Sequence, residues 1–205
     1  MHGRNDGAMV QETKALTFSE IANIPGVKGM WCLFLTSCAI EYTCGGWGSA
    51  FLVEYRHMTA EQAARILMFY YIGMAVGRFL SGVVAAWLDS WRIIQLGQVI
   101  LGMAIIFLFL SGDSYLAAIG FLMAGLGNGP LFPNFNYLTP QNFGADVSQS
   151  VMGTQMAASY IGIMLAPAVC GMLGQFADMG IFPVYVLFFY VVLMVSSWKV
   201  RHVLA

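Results

Sequence analysis

Apolar residues gather into six long runs, at about residues 29–53, 60–87, 93–111, 115–138, 148–174 and 181–198. Each is long enough to cross about 30 Å of hydrocarbon as a helix rising 1.5 Å per residue. No period-two alternation competes with them, so no strand is expected. The joints are short: Glu54–Thr59, Asp89–Arg92, Gly112–Ser114, Thr139–Val147 and Gln175–Gly180. Short joints between long helices predict antiparallel neighbours. Thr59-x-x-Gln62 has capping-box spacing at the start of the second run, and Asp146-x-x-Gln149 is a weaker version before the fifth. Residues 1–28 are polar and hold no apolar core of a secretory leader. Within them, Thr17-Phe-Ser-Glu20 predicts a short capped turn that Pro25-Gly26 ends. The expected organisation is a cytoplasmic leader (1–28), a six-helix transmembrane bundle (29–200) and a short cytoplasmic tail (201–205).

The runs differ in character. The third and sixth carry few polar groups after their first turn and read as lipid-facing. The first, second, fourth and fifth carry the Gly, Asn, Gln and Pro, whose polar atoms find no partner in lipid. They are expected to face the protein interior or a water-filled cavity. A bland third member in each trio suggests a 3+3 inverted repeat.

Composition agrees with a lipid solvent. The 205 residues are 59% hydrophobic and only 9% charged, against about 25% charged in soluble domains. The net charge of −1 suggests no nucleic-acid partner. With the N-terminus inside, Arg4, Lys14, Lys28, Arg78, Arg92, Lys199 and Arg201 fall on the inner side, and only Arg56 and Arg65 outside. The positive-inside rule then predicts cytoplasmic N- and C-termini. Cys32, Cys38, Cys44 and Cys170 lie within apolar runs without metal-type spacing, and His2, His57 and His202 lie outside them. No metal, cofactor or enzymatic constellation is expected.

The polar positions inside the runs are the candidate chemistry. Glu41 sits near the middle of the first run, where an ionised carboxylate costs about 2.5–3.5 kcal/mol on insertion scales. Ser37, Glu41, Cys44/Gly45 and Gly48 share one helix face. Glu41 either binds solute or takes up a proton, or it is a packing group bonded to a neighbouring helix. Arg78, beside the Gly73-x-x-x-Gly77 close-packing motif, either pairs within the bundle to hold one gating state or snorkels to the interface. In the fourth run Gly125, Gly127 and Gly129 precede Pro130 and Pro133, so a break is expected there. Asn128, Asn134 and Asn136 flank it and offer uncharged donors and acceptors. In the fifth, Gln155 is the leading polar candidate, with Tyr160 nearby, and Pro167 is expected to bend the outer end.

These runs resemble the C-terminal six-helix half of a major facilitator superfamily transporter, in the fucose-permease-like sugar–proton symporter branch. Glu41-Tyr-Thr-Cys-Gly-Gly-Trp-Gly-Ser-Ala-Phe-Leu-Val53 resembles its seventh helix and Tyr71-Ile-Gly-Met-Ala-Val-Gly-Arg-Phe-Leu-Ser-Gly82 its eighth. Gly125-Leu-Gly-Asn-Gly-Pro-Leu-Phe-Pro133 resembles the tenth. Thr139-Pro-Gln-Asn-Phe-Gly144 and Gly153-Thr-Gln-Met-Ala157 resemble the following connection and the eleventh. The superfamily's loop motif survives only as Gly82, Asp89 and Arg92, with its spacing lost. The resemblance implies a multi-pass inner-membrane protein that moves a sugar-like solute by alternating access, with proton coupling. It implies a partner too: an N-terminal six-helix half or a second copy. Glu41, Trp47, Asn128, Asn134, Asn136, Gln155 and Tyr160 are then the substrate-binding candidates, Trp47 through stacking on a sugar ring. Glu41, Arg78 and Arg92 are the gating or coupling candidates. The competing reading is a truncated module or scaffold that does not transport and acts only with a partner.

Overall fold

The computed structural model describes residues 16–204. Arg4, Lys14, most of the expected leader and the last residue of the expected tail lie outside the described residues. Within them the chain is helical and contains no strand. A short α1 (Phe18–Asn23) precedes α2 (Val27–Ala50), which continues through a π-helical turn, Phe51–Tyr55. Then come α3 (Ala60–Val84), α4 (Ser90–Phe109), α5 (Ser114–Asn128), α6 (Leu131–Phe143), α7 (Ala145–Phe176) and α8 (Phe182–Leu204).

The starts follow the capping chemistry. Thr17 and Thr59 both form reciprocal capping boxes, with Glu20 and Gln62, satisfying N–H groups that open each helix. Asp89 caps α4 by accepting from the Arg92 N–H at 2.8 Å. The expected break at Gly129-Pro130 is present, separating α5 from α6.

Two expectations are corrected between α6 and α7. No loop spans 139–147; α6 runs on through Pro140 to Phe143. Gly144 alone makes the joint, at φ +76°, a left-handed conformation that a Cβ disfavours. The Asp146 cap does not form, because Gly144 is the N-cap and Asp146 already lies in the first turn. At the other end, α8 continues to Leu204, so the expected tail is mostly helix.

Among the described residues, five spans are long and apolar enough to cross a membrane: 60–84, 90–109, 114–143, 146–176 and 179–204. α2 is not among them. Its 24 residues give the length, but Glu41, the hydroxyl residues and the glycines dilute its apolarity. The packing explains how such a helix is accommodated: α2 contacts α3, α6, α7 and α8 and is shielded by protein.

The packing also carries the repeat. α2 lies along α7 and α8, while α5 lies along α3 and α4. Exchange α2 with the α5–α6 span, α3 with α7 and α4 with α8, and these contacts map onto one another. The pairs α2–α3 and α6–α7 are likewise exchanged, and α4–α8 maps onto itself. Because the odd helix count in each unit reverses direction, this is two inverted three-helix units.

Glycine sets the close approaches. A Cβ on Gly77 would stand 2.5 Å from the Leu126 carbonyl oxygen, and one on Gly129 2.6 Å from that of Met74. Gly73 and Gly125 meet backbone just as tightly, so the two GxxxG faces of α3 and α5 seat on each other. Gly97 and Gly127 do the same for α4 and α5. At one end, Phe51 stacks on Phe182 with centroids 4.9 Å apart, and Phe121 joins at 6.2 Å. Arg56 covers the last turn of α4, donating to the carbonyls of Leu108 and Phe109 and to Ser111.

Gly77→Val places a branched side chain against backbone that has no room to yield. Such overpacking costs about 1–3 kcal/mol or more, and we expect loss of a monodisperse peak or a clear fall in thermal midpoint in detergent. Gly82→Ala, where nothing lies within 4 Å, should leave the midpoint unchanged or raise it slightly.

Candidate functional site

Glu41 stands fourteen residues from Val27 and fourteen from Tyr55, at the centre of its helix. An Arg78 guanidinium nitrogen lies 2.9 Å from its carboxylate. Arg78 is six residues from the end of α3, and its side chain reaches to mid-span rather than toward that end. The pair is not sealed. Glu41's side chain is 20% exposed and Arg78's 48%. The buried Tyr70 donates its hydroxyl to the Glu41 backbone carbonyl at 3.0 Å, tying α3 to α2 at the same level.

A cavity of about 350 Å³ opens beside this pair, lined by Glu41, Tyr42, Gly45, Gly46 and Tyr71. A Cβ on Gly45 would meet the Tyr71 hydroxyl at 2.8 Å, so a side chain there would push that phenol aside. The walls thus present one carboxylate, two phenol groups and bare backbone. That set can accept and donate hydrogen bonds to an uncharged polar solute and can interact with a cation, and it contains no nucleophile–base pair. No group of three or more His, Cys, Asp or Glu side chains suited to a metal occurs among the described residues.

The other candidates are distributed around the bundle. Asn128 is buried one turn from Glu41's level and donates to the Ser37 carbonyl at 3.3 Å, while its Oδ1 has no partner. Asn134 bonds Ser81 on α3 and the Pro130 carbonyl, each at 2.7 Å. Asn136 has a buried Oδ1 without a partner. Gln155 is fully buried and accepts from Thr139 at 2.9 Å, leaving its Nε2 unpaired. Trp47 does not line the Glu41 cavity. Its indole N–H donates to the Pro167 carbonyl at 2.7 Å, and its ring lies where a Cβ on Gly171 would be. Tyr160 points outward and is 63% exposed. Arg92 pairs with Asp89 at 3.3 Å at the start of α4, well away from mid-span. The structure therefore brings Glu41 and Arg78 together, with Asn128 close below. Asn134, Gln155 and Trp47 make helix-to-helix bonds, and Tyr160 and Arg92 lie on other surfaces.

Sequence reasoning missed Tyr42, Tyr70 and Tyr71. A signal existed. Tyr71 and Arg78 are seven apart, two turns along one face of α3, and Glu41 and Gly45 are four apart on α2. Those two faces are the ones that meet.

This chain belongs to the major facilitator superfamily, whose family model matches residues 3–167. It is 25% identical over 162 residues to an uncharacterised MFS-type transporter of Yersinia pestis, an alignment covering 74% of this chain and 40% of that protein. The fold is similar to that of the POT family transporter PepTSo, solved in meso. There the TM-score is 0.74 at 16% identity, covering 88% of this chain and 38% of the other. The chain thus spans about two-fifths of the length of each. It is a multi-pass membrane protein with the helix arrangement of this superfamily.

Because Arg78 is half exposed, the ion pair should contribute only about 1 kcal/mol. Glu41→Gln and Arg78→Gln should each lower the thermal midpoint in detergent by a few degrees. The exchange Glu41→Arg with Arg78→Glu should recover at least half of that loss. A double exchange no better than the singles would mean that the two side chains do not interact.

Proposed function

We propose that this chain is one six-helix half of a transporter that moves a small polar solute across the cell membrane by alternating access. Its route passes the α2–α3 groove at Glu41, Tyr42 and Tyr71. The observation that carries the reading is a mid-span ion pair left partly open to a cavity. A lone carboxylate buried for packing alone is better closed off, since exposure on one side and hydrocarbon on the other satisfies neither state of the group. Here Glu41 can exchange Arg78 for a solute hydroxyl, or for a proton, without losing every partner. The family of the chain and its relative's description as an MFS-type transporter support the class.

The solute we favour is a sugar, as the resemblance to fucose-permease-like symporters implies. Bidentate carboxylate acceptance and phenol donors suit vicinal hydroxyls. Proton coupling would run through Glu41: protonation removes the attraction that holds α2 to α3 at Arg78, which biases the bundle toward another arrangement. Orientation follows the charge count, with both termini cytoplasmic. Asn128, Asn136 and Gln155 keep one unpartnered polar atom each and are available to solute in another conformation. The groove faces out of the bundle, so a second six-helix unit is needed to enclose it, either an N-terminal half or a second copy.

The test is uptake of radiolabelled monosaccharides into proteoliposomes, by the chain alone and with a companion half. Uptake is expected only when two six-helix units are present, and Glu41→Gln should reduce it at least tenfold with normal insertion. Equal uptake by the variant would remove Glu41 from the route. Selective uptake of amino acids or peptides over sugars would overturn the substrate class while leaving the transporter reading intact.

A further inference from the structure

One glycine on the wall of the Glu41 groove is not accounted for by packing. A Cβ on Gly45 meets the Tyr71 hydroxyl, but a Cβ on Gly46 meets nothing within 4 Å. Glycine is among the poorest helix formers, and position 46 would accept an alanine without a clash. Gly73, Gly77, Gly125 and Gly129 are different, because a Cβ on any of them runs into backbone of the facing helix. Gly82 and Gly153 also lie within helices with open space around them. Of the three open positions, only Gly46 lines the cavity.

The space over Gly46 has two aromatic sides and one polar end. Tyr42 stands one turn earlier on the same face of α2. Helix side chains lean toward the N-terminus, and the Tyr42 ring stays more than 4 Å from the point where a Gly46 Cβ would be. Tyr71 is the facing wall, with its hydroxyl over Gly45. The buried Tyr70 braces Tyr71 edge-on, with centroids 5.3 Å apart and planes at 68°. Tyr70 is held in turn by its bond to the Glu41 carbonyl and by edge contact with Phe121 at 6.4 Å. The Tyr71 wall is thus anchored to the turn of α2 that it faces. Glu41, partly exposed on the same cavity, lies a little over one turn from Gly46.

Volume is scarce at this place. The cavity of about 350 Å³ is near the lower end of small-molecule sites, about 300 Å³. A side chain of three or four carbons at position 46 would project into it and meet no protein atom that could deflect it.

We propose that Gly46 is a specificity-determining residue: the side chain it lacks is the space that the body of the solute fills, while a polar edge of the solute sits on Glu41. Gly46 then sets the largest solute that the groove admits. The assignment rests on the transporter reading above and adds to it the residue that limits solute size.

The first test is glucose uptake into proteoliposomes that hold the chain with a companion half. Gly46→Ala, Gly46→Val and Gly46→Leu should raise KM in that order, at least tenfold for leucine, with the maximal rate kept within threefold and the thermal midpoint not lowered. Gly82→Leu enlarges an open position off the cavity and should leave KM within twofold. A flat KM across the Gly46 series overturns the inference. Loss of the companion half from Gly46→Leu in gel filtration also overturns it, because position 46 would then be a helix contact. The second test needs no transport. In the detergent-solubilised full chain, a cationic, water-soluble methanethiosulfonate should modify the Gly46→Cys thiol at least tenfold faster than the Val191→Cys thiol, read on each peptide by mass spectrometry. Val191 is exposed at the middle of α8, on a run that reads as lipid-facing. Equal rates would mean that detergent covers both positions, and the inference fails. Absence of glucose uptake by the unaltered chain counts against the sugar reading alone, and the labelling rates then decide the role of Gly46.

Discussion

Hydrocarbon offers no hydrogen bonds, so a polar group placed in it must find its partner inside the protein. Most of this structure follows from that constraint. The backbone answers it by being helical nearly throughout. The side chains answer it by bonding from helix to helix. Trp31 reaches Thr154 and Trp47 reaches the Pro167 carbonyl, joining α2 to α7 twice. Tyr185 ties α8 to the Ala166 carbonyl of α7. Tyr70 and Asn128 bring α3 and α5 to backbone carbonyls of α2. Asn134 and Thr139 link α6 to α3 and α7. Several of these bonds end on a carbonyl, which has a second lone pair to spare beyond its helical partner.

Glycine and polar contacts divide the joints between them. α3, α4 and α5 meet through facing glycines, with carbonyl oxygens where side chains would be. Such joints gain from van der Waals contact and small-residue fit, and they cannot slide without meeting a Cβ. The α2–α3 seam is different. It carries the Glu41–Arg78 pair and the Tyr70 bond, and both depend on charge or on a rotatable hydroxyl. A seam of that kind responds to protonation or to a competing hydrogen bonder, whereas a glycine seam does not. The cavity lies at the responsive seam.

Helix content, the position of the long helices and the break at Gly129-Pro130 were legible in the sequence, because apolar runs of span length and a Gly–Pro pair have few alternatives. The 3+3 arrangement was legible from the bland third and sixth runs. The one-residue joint at Gly144 was not. A polar stretch such as Thr139–Val147 reads as loop until tertiary packing lets α6 continue through Pro140. The site was half legible. A carboxylate and a guanidinium inside apolar runs are conspicuous, but their pairing depends on helix rotation, which periodicity alone leaves open. Trp47, a sugar-stacking candidate through the resemblance, packs its ring over Gly171 across the α2–α7 interface. Polar residues that serve as helix-to-helix bonds, such as Gln155 and Asn134, look identical in sequence to ones that bind solute.

The inverted repeat gives the Glu41 cavity a counterpart with which to compare it. Exchange of the units carries α2 and α3 onto the α5–α6 span and α7, so the Glu41 seam has a counterpart where α6 meets α7. That counterpart is closed by Thr139 and Gln155 rather than opened by an ion pair. At that seam the fold offers two equivalent places, and side chains close one and leave the other open. The symmetric backbone accounts for the helix arrangement. The side chains at the Glu41 seam break that symmetry, which is why the two halves of the bundle are not chemically interchangeable.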